Sequence, residues 1–300
     1  MKSKPSLSMR LVEFALKIPG NSFNAAGFLK FITKLENRTY PSPAPVPGNF
    51  RRFANIQEYE LQDRQVFTLS PLQNQQPIHI IYTHGGAYTQ PLVIIHWFII
   101  QELIRNLGAT VTVPIYPLAP EYTHRDAFPF LKRVYQKVLD DFPAHKIVLC
   151  GDSAGGGLAL AQAMHYRDLG LPIPHHIVLF SPWLDITLAN PSAAELEPQD
   201  TLLGIPGLVQ CGLWWAAGDD PRSPLLSPIY GDLVGLPPIE LFIGTKELLL
   251  PDAQKLNALA TEAGVILNLH QFPGAFHVFV AATFTPEAKH VFSQLTHVLL

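Results

Sequence analysis

The run Gly151-Asp152-Ser153-Ala154-Gly155 constrains this chain more than any other stretch. It fits G-x-S-x-G and follows Lys146-Ile147-Val148-Leu149-Cys150, a short apolar run that reads as a buried strand. Turning from strand to helix with no spare residue forces the serine into a strained conformation and pushes its hydroxyl out at the sheet edge. Glycines flank it because larger side chains would collide. The helix predicted over Ala154–Leu169 brings unpaired N–H groups and a positive dipole end beside that hydroxyl, where negative charge would develop during acyl transfer. Ser153 is therefore a candidate nucleophile.

A second run, Tyr82-Thr83-His84-Gly85-Gly86-Ala87-Tyr88, follows the apolar strand Ile78-His79-Ile80-Ile81 and precedes another predicted helix. Two adjacent glycines let the backbone pass close to a substrate and aim the N–H groups of Gly85 or Gly86 at a carbonyl oxygen. The N–H of Ala154 would approach from the other side. Together they are expected to form an oxyanion hole, in which each donor is worth about 3–4 kcal/mol of transition-state stabilisation.

A chain of 300 residues that is 48% hydrophobic can bury a large core, so one main domain with a smaller insertion is expected. The net charge of −3, without a long basic run, argues against nucleic acid as a partner. Two cysteines, Cys150 and Cys211, cannot make a disulfide framework and favour a reducing compartment. Leu11–Ile18 has helical apolar spacing broken by Glu13 and Lys17, which marks an amphipathic helix and not a secretory segment. The apolar stretch Leu92–Ile100 is too short to span a bilayer. A cytoplasmic protein without stable membrane insertion is expected, and a homo-oligomer is left open.

Strands are predicted at Val66–Leu69, Ile78–Thr83, Thr110–Pro114, Lys146–Cys150, His176–Phe180, Glu240–Ile243 and Leu267–Gln271. Helices are predicted at Ile94–Leu107, Ala127–Phe142, Ala154–Leu169, Asp252–Ala263 and Pro286–Leu299. This alternation calls for an α/β fold, a mostly parallel sheet covered on both faces. Two segments break the rhythm. Residues 1–48 read as a helical segment ending in the stiff connector Pro41-Ser42-Pro43-Ala44-Pro45-Val46-Pro47, ahead of a main domain at 49–300. Residues 186–230 read as a long insertion, and the two could form a lid over the carboxyl edge of the sheet.

The chain resembles the α/β-hydrolases, specifically the hormone-sensitive-lipase-like carboxylesterases. The resemblance starts near residue 78 and is carried by His84-Gly85-Gly86-Ala87-Tyr88, Tyr116-Pro117-Leu118-Ala119-Pro120-Glu121, Gly151–Gly156, Ser181-Pro182-Trp183-Leu184-Asp185 and Phe276-His277-Val278-Phe279. It implies an N-terminal helical cap and the chain order serine, acid, histidine for a catalytic triad. Of the 12 histidines, His270, His277, His290 and His297 come late enough. His270 falls inside a predicted strand and the last two on the terminal helix, whereas His277 falls in a loop, where the family also has its histidine. His277 is expected to act as general base and acid.

For the triad acid the chain departs from the family. Gly244-Thr245-Lys246-Glu247-Leu248-Leu249-Leu250-Pro251-Asp252 carries glutamate where related enzymes usually have aspartate. Glu247 is favoured over Asp252, which suits a first-turn acid facing the helix dipole. Asp152, Glu121 and Asp185 are expected to orient loops through hydrogen bonds, and His84 to brace the glycine turn. Tyr88, Trp214 and Trp215 could line an apolar pocket or simply pack. No cofactor is implied, and His175-His176 lacks the spacing of a metal site.

The expected activity is hydrolysis of small esters with short to medium acyl chains, through an acyl-enzyme. An amidase or peptidase on the same fold stays open. So does a non-catalytic binding protein that reuses the scaffold. A trypsin-like protease does not fit, since its histidine precedes its serine in an all-β fold.

Overall fold

The computed structural model describes residues 4–17, 30, 32–35 and 41–300. Among them an eight-stranded sheet forms the centre, in the order β1-β2-β4-β3-β5-β6-β7-β8. These strands are β1 (Ala54–Leu61), β2 (Arg64–Pro71), β3 (Ile78–Thr83), β4 (Thr110–Pro114), β5 (Lys146–Asp152), β6 (His176–Phe180), β7 (Ile239–Gly244) and β8 (Leu267–Phe272). The pairs β1·β2 and β2·β4 are antiparallel and all others are parallel.

Every strand predicted from sequence is present, several extended by one or two residues. The structure adds β1, which the predicted list lacks. Its sequence Ala-Asn-Ile-Gln-Glu-Tyr-Glu-Leu is half polar and largely exposed, as suits an edge strand with one partner.

Strand alternation divides the core in two. Ile81, Leu149, Ile177, Leu179 and Leu241 face one side, where they meet α3 (His124–Asp141), α4 (Ala154–Asp168) and α7 (Leu250–Glu262). Ile80, Tyr82, Val148, Cys150, Val178 and Phe180 face the other, against α2 (Ile94–Leu107) and α8 (Pro286–Leu299). This is the doubly covered parallel sheet that the βα alternation calls for.

Helix boundaries follow caps. α3 starts three residues before its predicted start because Thr123 and Asp126 form a reciprocal capping box, while Pro129 is accommodated in its second turn. α7 starts at Leu250 with Pro251 in its first turn.

The segment between β6 and β7 holds two helices, α5 (Pro191–Leu196) and α6 (Ile205–Ala216). At the other end of the chain α1 (Leu7–Leu16) is capped by Ser6, whose N–H and hydroxyl also bond Glu287 of α8 at 2.6 and 2.8 Å. The expected helical character of residues 1–48 falls partly outside the described residues. The proline-rich connector is fixed where Ala44 N–H donates to Leu92 O at 2.8 Å and Trp97 Nε1 donates to Ala44 O at 3.0 Å. Among the described residues no helix is long and apolar enough to cross a membrane.

Candidate active site

Ser153 stands between β5 and α4 with φ 52° and ψ −122°, a region that ordinary side chains rarely enter. The surroundings over-determine this strain, which is worth on the order of 1–3 kcal/mol. Ser153 N–H donates to Phe180 O at 2.9 Å, and its carbonyl accepts from Trp183 N–H at 2.8 Å and from Gly156 and Gly157. A Cβ on Gly155 would run into the carbonyl oxygens of Thr83 and His84, so only glycine permits β3 and α4 to pass this close.

Loops at the carboxyl edge of the sheet then meet. His277 Nε2 lies 2.9 Å from Ser153 Oγ, and His277 Nδ1 lies 2.8 Å from Glu247 Oε2. With its proton on Nδ1, the imidazole donates to Glu247 and accepts the serine hydroxyl through Nε2. Ser153 and His277 are 7% and 6% exposed and Glu247 is fully buried, so this chain of hydrogen bonds runs in a dry environment. The other oxygen of Glu247 accepts from the Ser181 hydroxyl at 2.7 Å and Gly244 N–H at 2.6 Å.

Burial pushes the Glu247 carboxyl above its ordinary range, against the pull of His277, Ser181 and Gly244. Burial alone would lower the His277 pKa. The hydrogen bond and charge of Glu247, with Asp200 and Asp152 adding to them, outweigh it and hold the imidazole above 6.5.

Asp252, the alternative acid, is not brought to His277. It sits in the first turn of α7, where its Oδ1 accepts from Asn190 Nδ2 at 3.0 Å and its Oδ2 is buried without a partner. Burial raises its pKa.

The glycine turn requires a correction. Gly85 N–H donates to Asp152 Oδ1 at 3.0 Å, so it is committed to the protein and not presented to a substrate. Gly85 is also missing from the lining of the cavity, whereas Gly86 and Ala87 are part of it, beside Ser153 and His277. Of this turn, Gly86 and Ala87, not Gly85, are the residues that border the cavity. The glycine is needed for close approach, since a Cβ there would strike the Asp152 carboxylate and side chain of Ser153. Ala154 N–H is the first amide of α4 and has no acceptor within its helix.

Asp152 does orient a loop. Fully buried, it accepts from Tyr82 OH as well as Gly85 N–H, with His96 Nε2 3.5 Å away. Burial works against its charge, but His96 and Tyr82 more than compensate and lower its pKa. His84 braces the turn through Nδ1 and Gly85 O at 2.7 Å, stacked on Tyr116. Asp185 collects Thr187 N–H and hydroxyl and Tyr230 OH. Glu121 is exposed and makes none of the hydrogen bonds expected of it.

A cavity of about 360 Å³ opens onto Ser153. Its walls are mainly apolar and come from α1 (Val12, Leu16), the α2 region (Val93, Ile95, Phe98), the insertion (Leu202, Leu203, Leu208) and the segment after His277. Tyr88, Trp214 and Trp215 are not among its walls. Tyr88 and Trp215 are buried and stack face to face with centroids 4.4 Å apart, tying α6 to the glycine loop. Cys150 and Cys211 are buried free thiols. Among the described residues no cluster of three or more His, Cys, Asp or Glu could hold a metal ion.

Sequence reasoning missed Ser181 and Asp200. Ser181 lies in a run singled out for other reasons, and its partners are distant in sequence. Asp200 caps a turn by accepting from Leu202 and Leu203 N–H, with its other oxygen taking Leu248 N–H at 2.9 Å.

Comparison with known proteins agrees with this architecture. A family model of the alpha/beta hydrolase fold matches residues 80–281. An acetyl-hydrolase of Streptomyces hygroscopicus is 35% identical over 201 residues, 67% of each chain. An esterase of Acinetobacter venetianus is 32% identical over 220 residues, 72% of each. The solved structure of a hormone-sensitive lipase from a metagenome library has a TM-score of 0.82 at 27% identity, covering 99% of this chain and 98% of its own. The chain belongs to the α/β-hydrolase family, and its likeness runs to the hormone-sensitive-lipase-like esterases.

Proposed function

We propose that this chain is a serine carboxylesterase acting on small esters with short to medium acyl chains. The observation that carries the reading is the unbroken line Ser153 Oγ, His277 Nε2, His277 Nδ1, Glu247 Oε2 at the floor of an apolar cavity.

Ser153 Oγ attacks the ester carbonyl while His277 Nε2 takes its proton, and Glu247 steadies the imidazolium. The N–H groups of Gly86, Ala87 and Ala154 receive the oxyanion. Collapse of the adduct breaks the bond to the alcohol, which leaves with the proton from His277. Water, deprotonated by the same imidazole, then releases the acid and regenerates Ser153.

A cavity of about 360 Å³ bordered by Val12, Leu16, Leu202 and Leu203 favours compact substrates. In this reading residues 1–48 and 186–230 act as a cap on a catalytic domain at 49–300. Two buried free thiols fit a reducing, cytoplasmic setting.

The test is a series of p-nitrophenyl esters from acetate to decanoate, with an anilide analogue, assayed on wild type and Ser153→Ala. Turnover should be highest on the shorter esters and fall on the order of 10⁶-fold in the variant. An organophosphate should add mass to wild type at Ser153 alone. Faster cleavage of the anilide would assign an amidase, and absence of both turnover and labelling would assign a binding protein.

A further inference from the structure

The loop that carries Glu247 is gripped on both flanks by carboxylates from the two segments that wall the cavity. On the N-terminal side, Lys246 Nζ bonds both oxygens of Glu13 at 2.8 Å. Glu13 projects from α1, one residue from the cavity-lining Val12, and is itself buried. On the C-terminal side, Leu248 N–H donates to Asp200 Oδ2 at 2.9 Å. The other oxygen of Asp200 holds the N–H groups of Leu202 and Leu203, which are cavity wall.

We propose that Glu13 and Asp200 are positioning residues for the triad acid, so that Glu247 meets His277 only when α1 and the 200–203 turn are both seated over the cavity. The inference rests on the reading of Glu247 as the triad acid.

The physical case is one of constraint. Glu247 cannot shift toward or away from His277 without dragging Lys246 and Leu248, and each is tied to a different wall. A displacement of about 1 Å at such a point can cost roughly a hundredfold in rate. α1 is in turn docked beside the His277 loop, since Ser6 is bound to Glu287 and a Cβ on Gly274 would meet the ring of Pro5.

Three carboxylates bear on His277, Glu247 from the loop after β7, Asp200 from the insertion and Asp152 from β5, and the Ser153 hydroxyl is hydrogen-bonded to its Nε2. Asp200→Asn keeps the shape and removes one charge. It should move the acid limb of the kcat/KM profile to lower pH, while Glu13→Gln should leave that limb in place.

The experiment measures Glu13→Gln, Lys246→Met and Asp200→Asn with p-nitrophenyl acetate and hexanoate, each in wild type and in a Glu247→Gln background. The expected result is a fall in kcat of about tenfold to a hundredfold on both esters, which disappears when Glu247 is already Gln. Lys246 is partly exposed, so its substitution tests the same clasp if a buried variant fails to fold. A loss confined to KM for hexanoate, or one that persists in the Glu247→Gln background, would overturn the proposal. Wild-type turnover by Glu247→Gln alone would instead overturn the assignment of the acid, an outcome separable from the first two.

Discussion

The hydroxyl of Ser181 stands 2.7 Å from Glu247 Oε1 and accepts the N–H of Val278 at 3.0 Å. One side chain at the end of β6 thereby touches Glu247 and fixes the backbone beside His277. Ser181 has φ 46°, a left-handed conformation, and its N–H is anchored on Phe242 O.

Replacing Ser181 with alanine removes one of two donors to that oxygen and leaves Val278 N–H unpaired. We expect a loss of about 1–3 kcal/mol in urea denaturation together with reduced kcat. Wild-type values in both measurements would show that Gly244 N–H alone suffices.

The two carboxylates of the acid segment should behave oppositely. Glu247→Gln should cost up to about 10⁴ in turnover, because the amide can present an N–H to His277 and favour the wrong tautomer. Asp252→Asn should leave kinetics unchanged, since Asp252 is held by Asn190 away from the imidazole. Steady-state kinetics on p-nitrophenyl acetate decides the pair.

The pH dependence of kcat/KM reports the free enzyme's base. In the proposed mechanism His277 acts when neutral at Nε2, and Glu247 holds its pKa above 6.5. Activity should therefore be lost as pH falls through a value above that of an ordinary histidine. An acid limb centred below 6.5 would contradict this electrostatic picture.

Acid stability should trace to two other histidines. His79 and His84 are buried, and burial lowers each pKa to about 3 from 6.5. Between those values the unfolded chain binds more protons, so stability is intact above 6.5 and lost as pH falls toward 3. Each group adds up to about 1.4 kcal/mol per pH unit in that window. His79→Gln can keep a bond to Thr112, and it should flatten the slope of unfolding free energy against pH by up to that amount. An unchanged slope would exclude His79 as a contributor.

Local sequence exposed most of this molecule. Strands β2 to β8 announce themselves through short apolar runs, β-branched in β3 to β7, and the corner at Ser153 through its glycines, because each signal lies within a few residues. β1 was hidden, since an edge strand with one partner and only a few half-buried side chains need not be apolar. The commitment of Gly85 N–H to Asp152 spans 67 residues, and the grip of Asp200 on Leu248 spans 48, so neither leaves a pattern in neighbouring positions. For Tyr88 and Trp215 the residue type alone could not decide. Their aromatic character left pocket lining and plain packing both open, and the rings pack on each other.

The dual engagement of Asp200 sets a limit on how such a scaffold can diversify. A turn remodelled to admit a bulkier ester would also disturb the carboxylate that binds Leu248 N–H and adds its charge to the field on the imidazole. Substrate breadth and working pH are thus inherited together, and a lineage exploring one must retune the other.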